Sequence, residues 1–344
     1  MLFSKPFPDE LATTHLYRIW AMNDISGPHT LAQSKALAKA TRGRRTGHCA
    51  HPWTPLYMHQ IMAHLSGMTP QAYRAHHTML ALTQNWQRIY SQVPVKESKT
   101  RVHAIEQFHR QSAASAYPFR LCRQCRDEDL HGYDMTYWHR EHLIAGVDVC
   151  PKHQTPLEQM KWQQAYSAPN PVAVQGEPAD EALVLASSHP ILTRYRDIML
   201  HAIRNPAQIR YTHAHKQLLI RATEMGLCRH QLAHTGRHSY LEHEIPEHLY
   251  RQLPRAWMGQ HFSAAFLDQG FTPSYTCTDG YHCALKALGH STQLHPIFLI
   301  LTLATLFDST AQIASLLFDQ CVGHSGHNDA VVNALDSELE VCSI

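Results

Sequence analysis

The sequence predicts a mainly α-helical chain: a helix-turn-helix-like amino-terminal module, a small cysteine-containing module and a helical carboxy-terminal domain. Three observations carry that prediction. Apolar residues recur at helical spacing, as in Leu11, Leu16, Ile19 and Trp20, and again along residues 294–307. Thr69-Pro70 and Ser188-His189-Pro190 place a proline where a helix needs no amide donor, in the first case directly after a capping hydroxyl. The run from Arg120 to Leu157 breaks the helical pattern with two short knuckles, Cys122-x-x-Cys125 and Cys150-x-x-His153.

The first segment, residues 1–92, reads as four short helices joined by tight turns. Asp9 is placed to cap a helix over 9–23, which Gly27-Pro28 ends. Residues 31–40 and 56–66 give two more, followed by Gly43 and Gly67, and Thr69-Pro70 opens the fourth. Such a set is compatible with a helix-turn-helix-like module. Between the second and third lies Arg42-Gly43-Arg44-Arg45. Clustered guanidinium groups gain from counterion release on phosphate, so one reading of Arg42, Arg44 and Arg45 is a nucleic-acid-contacting loop. A solvated turn and a partner-binding loop are the other open readings.

Residues 93–116 form a connector of weak periodicity, with one helix expected over 100–110, and the small module occupies 117–164. Its knuckles face each other across 24 residues. Together Cys122, Cys125, Cys150 and His153 offer three thiolates and one imidazole, the donor set of a tetrahedral Zn(II) site. A redox pair formed by Cys122 and Cys125 leaves Cys150 and His153 unexplained. Four protein donors keep no position open for water, so one zinc per chain is expected to be structural rather than catalytic. Tyr137 and Trp138 are expected as the module's apolar core rather than as base-stacking platforms. Arg120, Arg123 and Arg140 are candidate contacts to nucleic acid or to a partner. Asp127, Glu128 and Asp129 beside them mix the local charge, which fits a protein-facing surface better than a groove reader.

The run C-x-x-C-x-x-E-D, then Y-W-x-R-x-H, then G-V-x-V-C-P-x-H resembles the zinc-finger core of the TniQ/TnsD family of transposon target-selection proteins. The resemblance extends to P-F-P-D-E-L at Pro6 to Leu11 and L-H-P-I-F-L-I-L at Leu294 to Leu301, so that it spans most of residues 1 to 310. It implies a protein that does not cut DNA. Such a protein links a target-recognising partner, in some members an RNA-guided CRISPR complex of the Cascade type, to an AAA+ transposition regulator, often as a homodimer. Longer members read an attachment site in target DNA directly. Some members carry a second four-cysteine site after the first; here residues 154–227 contain no cysteine.

Residues 165–180 are rich in proline and small residues and read as a linker to a helical domain over 181–344. Within it, helices are expected from Pro190 to about Arg204 and from His215 to Met225, stopped by Gly226. A helix-poor loop and a further helical pair follow, with a weak helix-turn-helix-like signal. Residues 294–307 form a buried core helix, too short to span a bilayer, and an amphipathic helix covers 311–321. Cys277, His282, Cys283 and His290 match no common knuckle spacing, and ordinary thiols are the plainer reading. His243-Glu244-Ile245-Pro246-Glu247-His248 is not a metalloprotease helix. Its histidines are five apart, a rotation of about 140°, and Pro246 breaks the helix.

Composition narrows the function classes. Thirty basic against 28 acidic residues give a net charge of +2, a weak footprint for a protein that grips nucleic acid alone. Nine scattered cysteines make no disulfide framework, and no amino-terminal apolar run precedes a cleavage site, which points to reducing cytoplasm. No phosphate-cradling loop and no nucleophile turn occurs, so no enzyme activity is expected.

Overall fold

The computed structural model describes residues 4–23, 56–79, 119–160, 176–205, 210–232, 238–243, 252–261 and 296–318. Outside them lie Arg42, Arg44 and Arg45, the helix expected over 31–40 and the connector over 93–116. Cys277, His282, Cys283, His290 and the chain end lie outside them too. No helix among the described residues is long and apolar enough to cross a membrane.

The amino-terminal unit packs α1 (Ala12–Met22) on α2 (Leu56–Leu65) and α3 (Pro70–His77). Ala12, Leu16 and Ile19 fall on one face of α1 and bury against Met62, Ala63 and Tyr73. Thr69 caps α3 as its sequence requires, accepting from the Ala72 amide at 3.1 Å with Pro70 in the first turn. The start of α1 differs from expectation. Asp9 is not its cap: it adopts a left-handed φ of 56°, and its carboxylate is taken by the Arg140 guanidinium and the Glu141 amide.

Two buried histidines pin this unit. The Nε2–H of His15 donates to the Ser4 carbonyl at 2.8 Å, so its Nδ1 accepts from the Tyr73 hydroxyl at 2.9 Å. His77 donates from Nδ1 to the Glu10 carbonyl at 3.0 Å. Burial lowers both imidazoles, His15 to about 3 and His77 to about 4. The unfolded chain therefore takes up protons below about 6.5 that the folded chain refuses, and stability falls as pH drops from there towards the folded values. Each histidine costs about 2 kcal/mol by pH 5, while the raised Glu10 carboxyl works in the opposite direction. His77→Asn keeps a donor near Nδ1 without the titration. In urea unfolding it should lose about 2 kcal/mol less than the parent between pH 7 and 5. Equal losses would place the proton uptake elsewhere.

The middle unit is closed by a short antiparallel ribbon, β1 (Phe119–Leu121) with β2 (Glu158–Met160), in the register Phe119↔Met160, Arg120↔Gln159, Leu121↔Glu158. Between these strands run α4 (Arg123–Tyr133) and a 3-10 turn, Arg140–Leu143. Tyr137 and Trp138 are buried core residues, as expected from the small module's need for apolar filling.

The carboxy-terminal helices are α5 (Glu181–Ala186), α6 (Pro190–Arg204), α7 (Tyr211–Glu224), α8 (Arg255–His261), α9 (Pro296–Leu306) and α10 (Thr310–Leu317). Pro190 opens α6 and the left-handed Gly226 follows α7, both where the sequence places them. The apolar α9 packs against α6, α7 and α10. Leu299, Ile300, Leu301, Leu303 and Leu306 are buried on it, each stabilising by roughly 2 kcal/mol. Its last carbonyls, which lack helical partners, accept from Arg194 at Ala304 and from Arg221 at Leu306. The helix-poor loop expected after Gly226 includes an antiparallel hairpin, β3 (Cys228–Leu232) with β4 (His238–His243). The five intervening residues include Gly236, a hairpin signal that helical periodicity obscured. His243 therefore ends a strand, and residues 244–248 lie outside the described residues.

One apolar core joins the middle unit to these helices, running from Leu11 and Phe119 through Trp138, Ile144 and Val147 into Tyr195, Trp257 and Leu301. The two approach tightly at Gly146. It has a φ of +85°, and a Cβ there would stand 2.3 Å from Cζ2 of Trp257. Tyr195 donates to the Ala145 carbonyl, and His261 pairs with Asp148 at 2.9 Å, both side chains buried.

Candidate metal centre

Cys122 follows β1 and occupies the cap position of α4, and Cys125 lies in the first turn of that helix. A strand-to-helix junction thus presents both sulfurs to one side, next to the positive end of the helix dipole, where thiolates are favoured. Cys150 and His153 come from a tight turn. Its amide at Cys150 donates to Thr155, the Gln154 amide returns to Cys150, and Gln154 is left-handed at a φ of 55°.

The four donor atoms lie within 4.8 Å of one another. His153 Nδ1 is 3.4, 3.3 and 3.7 Å from the sulfurs of Cys122, Cys125 and Cys150, and Cys125 and Cys150 are 3.7 Å apart. A tetrahedron with Zn–S near 2.3 Å and Zn–N near 2.0 Å has edges of about 3.8 Å between sulfurs and about 3.5 Å from sulfur to nitrogen. The three nitrogen-to-sulfur spacings and the Cys125–Cys150 spacing lie within about 0.3 Å of those edges.

The chemistry of the set calls for a cation. His153 Nε2 lies 3.1 Å from Glu128 Oε1, and Lys152 also holds that carboxylate. With Nε2 protonated for Glu128, Nδ1 turns a lone pair to three sulfurs, and one lone pair cannot accept three S–H bonds. The thiols cannot ionise together either. Hydrogen bonds from Cys125 and Cys150 hold the Cys122 thiol low, while bonding to Cys122 pushes Cys125 and Cys150 up. A metal ion would satisfy all four donors at once, with Glu128 as the outer carboxylate that fixes the imidazole. Glu128 stands one helical turn after Cys125, so this partner was readable from spacing on α4. Thr155, whose hydroxyl is 3.5 Å from Cys122 Sγ, carried no such signal.

Two arginines expected at a contact surface are interior instead. Arg120 is buried, and its Nη1 donates to the carbonyls of Ile144 at 2.9 Å and Val147 at 2.6 Å. Arg140 is buried and donates to Asp9, Ala75, Thr78 and Ile203. Both guanidinium groups serve backbone carbonyls in turns and at helix ends. That use withdraws them from phosphate or partner contact. Arg123 remains largely exposed and pairs with Glu158.

The amino-terminal strap Pro6 to Leu11 lies across this unit. Phe7 stacks on Tyr133 with ring centroids 4.3 Å apart, under the Arg18 guanidinium. Asp9 meets Arg140, Glu10 forms a buried pair with Arg18 at 2.7 Å, and the Leu11 amide donates to the Trp138 carbonyl. The strap and the Tyr137-to-His142 insert, far apart in sequence, are one structural unit.

A family model described as TniQ matches residues 1–157, which takes in the strap, the insert and both knuckles. The likeness read at Leu294 to Leu301 lies beyond the matched residues. No curated protein matches the chain. The first 157 residues are similar to a TniQ domain, and that likeness supports a TniQ family transposition protein.

Proposed function

We propose that this chain is a non-catalytic target-selection adaptor in DNA transposition, holding one Zn(II) at Cys122, Cys125, Cys150 and His153. The observation that carries the reading is the TniQ match over residues 1–157, within which the four donors converge. Bound there, zinc supplies cross-linking of two chain segments rather than Lewis-acid chemistry, because four protein donors fill its coordination. The protein connects a Cascade-type RNA-guided complex on target DNA to an AAA+ transposition regulator. It works in the cytoplasm, and a homodimer is its expected assembly. Arg42, Arg44, Arg45 and Arg123 are its candidate contacts.

The runner-up is direct reading of an attachment site. The net charge of +2 and the interior positions of Arg120 and Arg140 favour the adaptor, since each neutralised phosphate needs an accessible cation. Selection of random duplex DNA by the purified zinc-loaded protein, at about physiological salt, separates the two. The adaptor predicts weak binding that salt erases and no enriched motif. Enrichment of one motif, with a dissociation constant near 10⁻⁸ M, would instead establish the direct reader.

A further inference from the structure

Resting on the zinc reading above, we propose that His142 is a positioning residue for the metal centre. Its Nε2–H donates to the thiolates of Cys125 and Cys150 from outside the ligand tetrahedron. His142 lies in the 3-10 turn and is buried, with Nε2 3.5 Å from Cys150 Sγ and 3.8 Å from Cys125 Sγ. It stands over the edge those sulfurs share and outside the four-donor group.

The direction of the bond follows from the sulfurs. A coordinated thiolate has no proton to give, so it accepts, and the ring nitrogen facing it must carry the hydrogen. The opposite tautomer would aim a lone pair at two anionic sulfurs. It would also bury an Nδ1–H at an atom that has no hydrogen-bond partner among the described residues. Three thiolates and a divalent ion sum to one negative charge in a mostly buried site, which N–H and O–H donors must offset. Thr155 serves Cys122, and the His153 amide serves Cys150 at 3.4 Å. With His142, each sulfur has a donor from the protein. The 3-10 turn that carries His142 is itself fixed by Arg140 and by the Glu141 amide on Asp9. The ring is thereby set before metal arrives.

The test uses cobalt(II) as the probe metal in the full chain, comparing the parent with His142→Phe and with His142→Gln, whose amide nitrogen reaches the Nε2 position. His142→Phe should weaken cobalt by ten- to a hundredfold in chelator competition, in the range seen when outer partners are removed. It should also move the sulfur-to-cobalt charge-transfer band to lower energy. His142→Gln should restore both. No change in His142→Phe, or equal losses in the two variants, overturns the proposal. Should His142→Phe fail to fold, the parent loaded with cadmium(II) decides by ¹⁵N chemical shifts. A protonated Nε2 and a bare Nδ1 are expected, and a protonated Nδ1 overturns the assignment. A parent that takes up neither metal sinks the zinc reading and this inference together. Normal uptake with an unmoved His142→Phe sinks this inference alone.

Discussion

Chelating the metal, or replacing Cys150 by serine, should unfold residues 119–160 and lower the stability of the whole chain by many kcal/mol. Little regular secondary structure fastens the two knuckles to each other. Its ribbon is two three-residue strands, and α4 carries two buried residues, Cys125 and Asp129. Zinc binding in small modules supplies about 10 kcal/mol or more, most of it expressed as folding energy. The loss should spread, because Ile144, Val147 and Leu157 share one core with α6 and α9. Thermal unfolding with and without chelator, alongside zinc content per chain, measures this directly. Cys150→Ser that retains one zinc and an unchanged melting temperature would show that the ligands lie elsewhere.

Arg140→Met should cost about 3 kcal/mol, the low end of the penalty for breaking a buried ion pair, because the guanidinium is buried while the Asp9 side chain is 21% exposed. The guanidinium donates at 2.9 Å to Asp9, at 2.8 and 3.1 Å to the carbonyls of Ala75 and Thr78, and at 3.4 Å to Ile203. Burial pushes the Asp9 carboxyl up and the Arg140 guanidinium down, each opposed by the other's charge. Removing one partner leaves the other desolvated and three carbonyls unserved. Arg140→Lys should recover little, since one ammonium cannot reproduce a planar fork. Arg123→Ala is the control: an exposed pair with Glu158 should be worth less than about 1 kcal/mol. Denaturant midpoints of the three variants measure these differences. A loss below about 1 kcal/mol in Arg140→Met would mean that solvent reaches the cluster after all.

What was legible in the sequence were bonds that close within a few residues. The cap at Thr69, the proline start of α6, the glycine after α7 and the pairing inside each knuckle all belong to this class. Such bonds depend on local backbone geometry, which spacing encodes. The convergence of the two knuckles was legible as well, because metal chemistry restricts which residues can face each other. Asp9 was misread because its local option, capping α1, lost to a partner 131 residues away. Arg120 was misread for a like reason: its acceptors lie 24 and 27 residues on, and nothing in a single sequence distinguishes an arginine bound for the interior from one bound for phosphate. The hairpin at β3 and β4 was hidden by helical patterns on either side of it.

The notch at Gly146 has a consequence for how such proteins can be recombined. The TniQ match ends at residue 157, yet the indole of Trp257 sits where any side chain at position 146 would stand. The segment that the family model matches therefore has its shape completed by a residue a hundred positions downstream of its end. A donor carboxy-terminal half, spliced in after residue 157, would have to bring an aromatic ring that fits the notch. Without one, the splice leaves a hole beside the metal module. The seam acts as a compatibility key between halves, and it restricts the exchanges that evolution or an engineer can make to those that preserve both the notch and its filling.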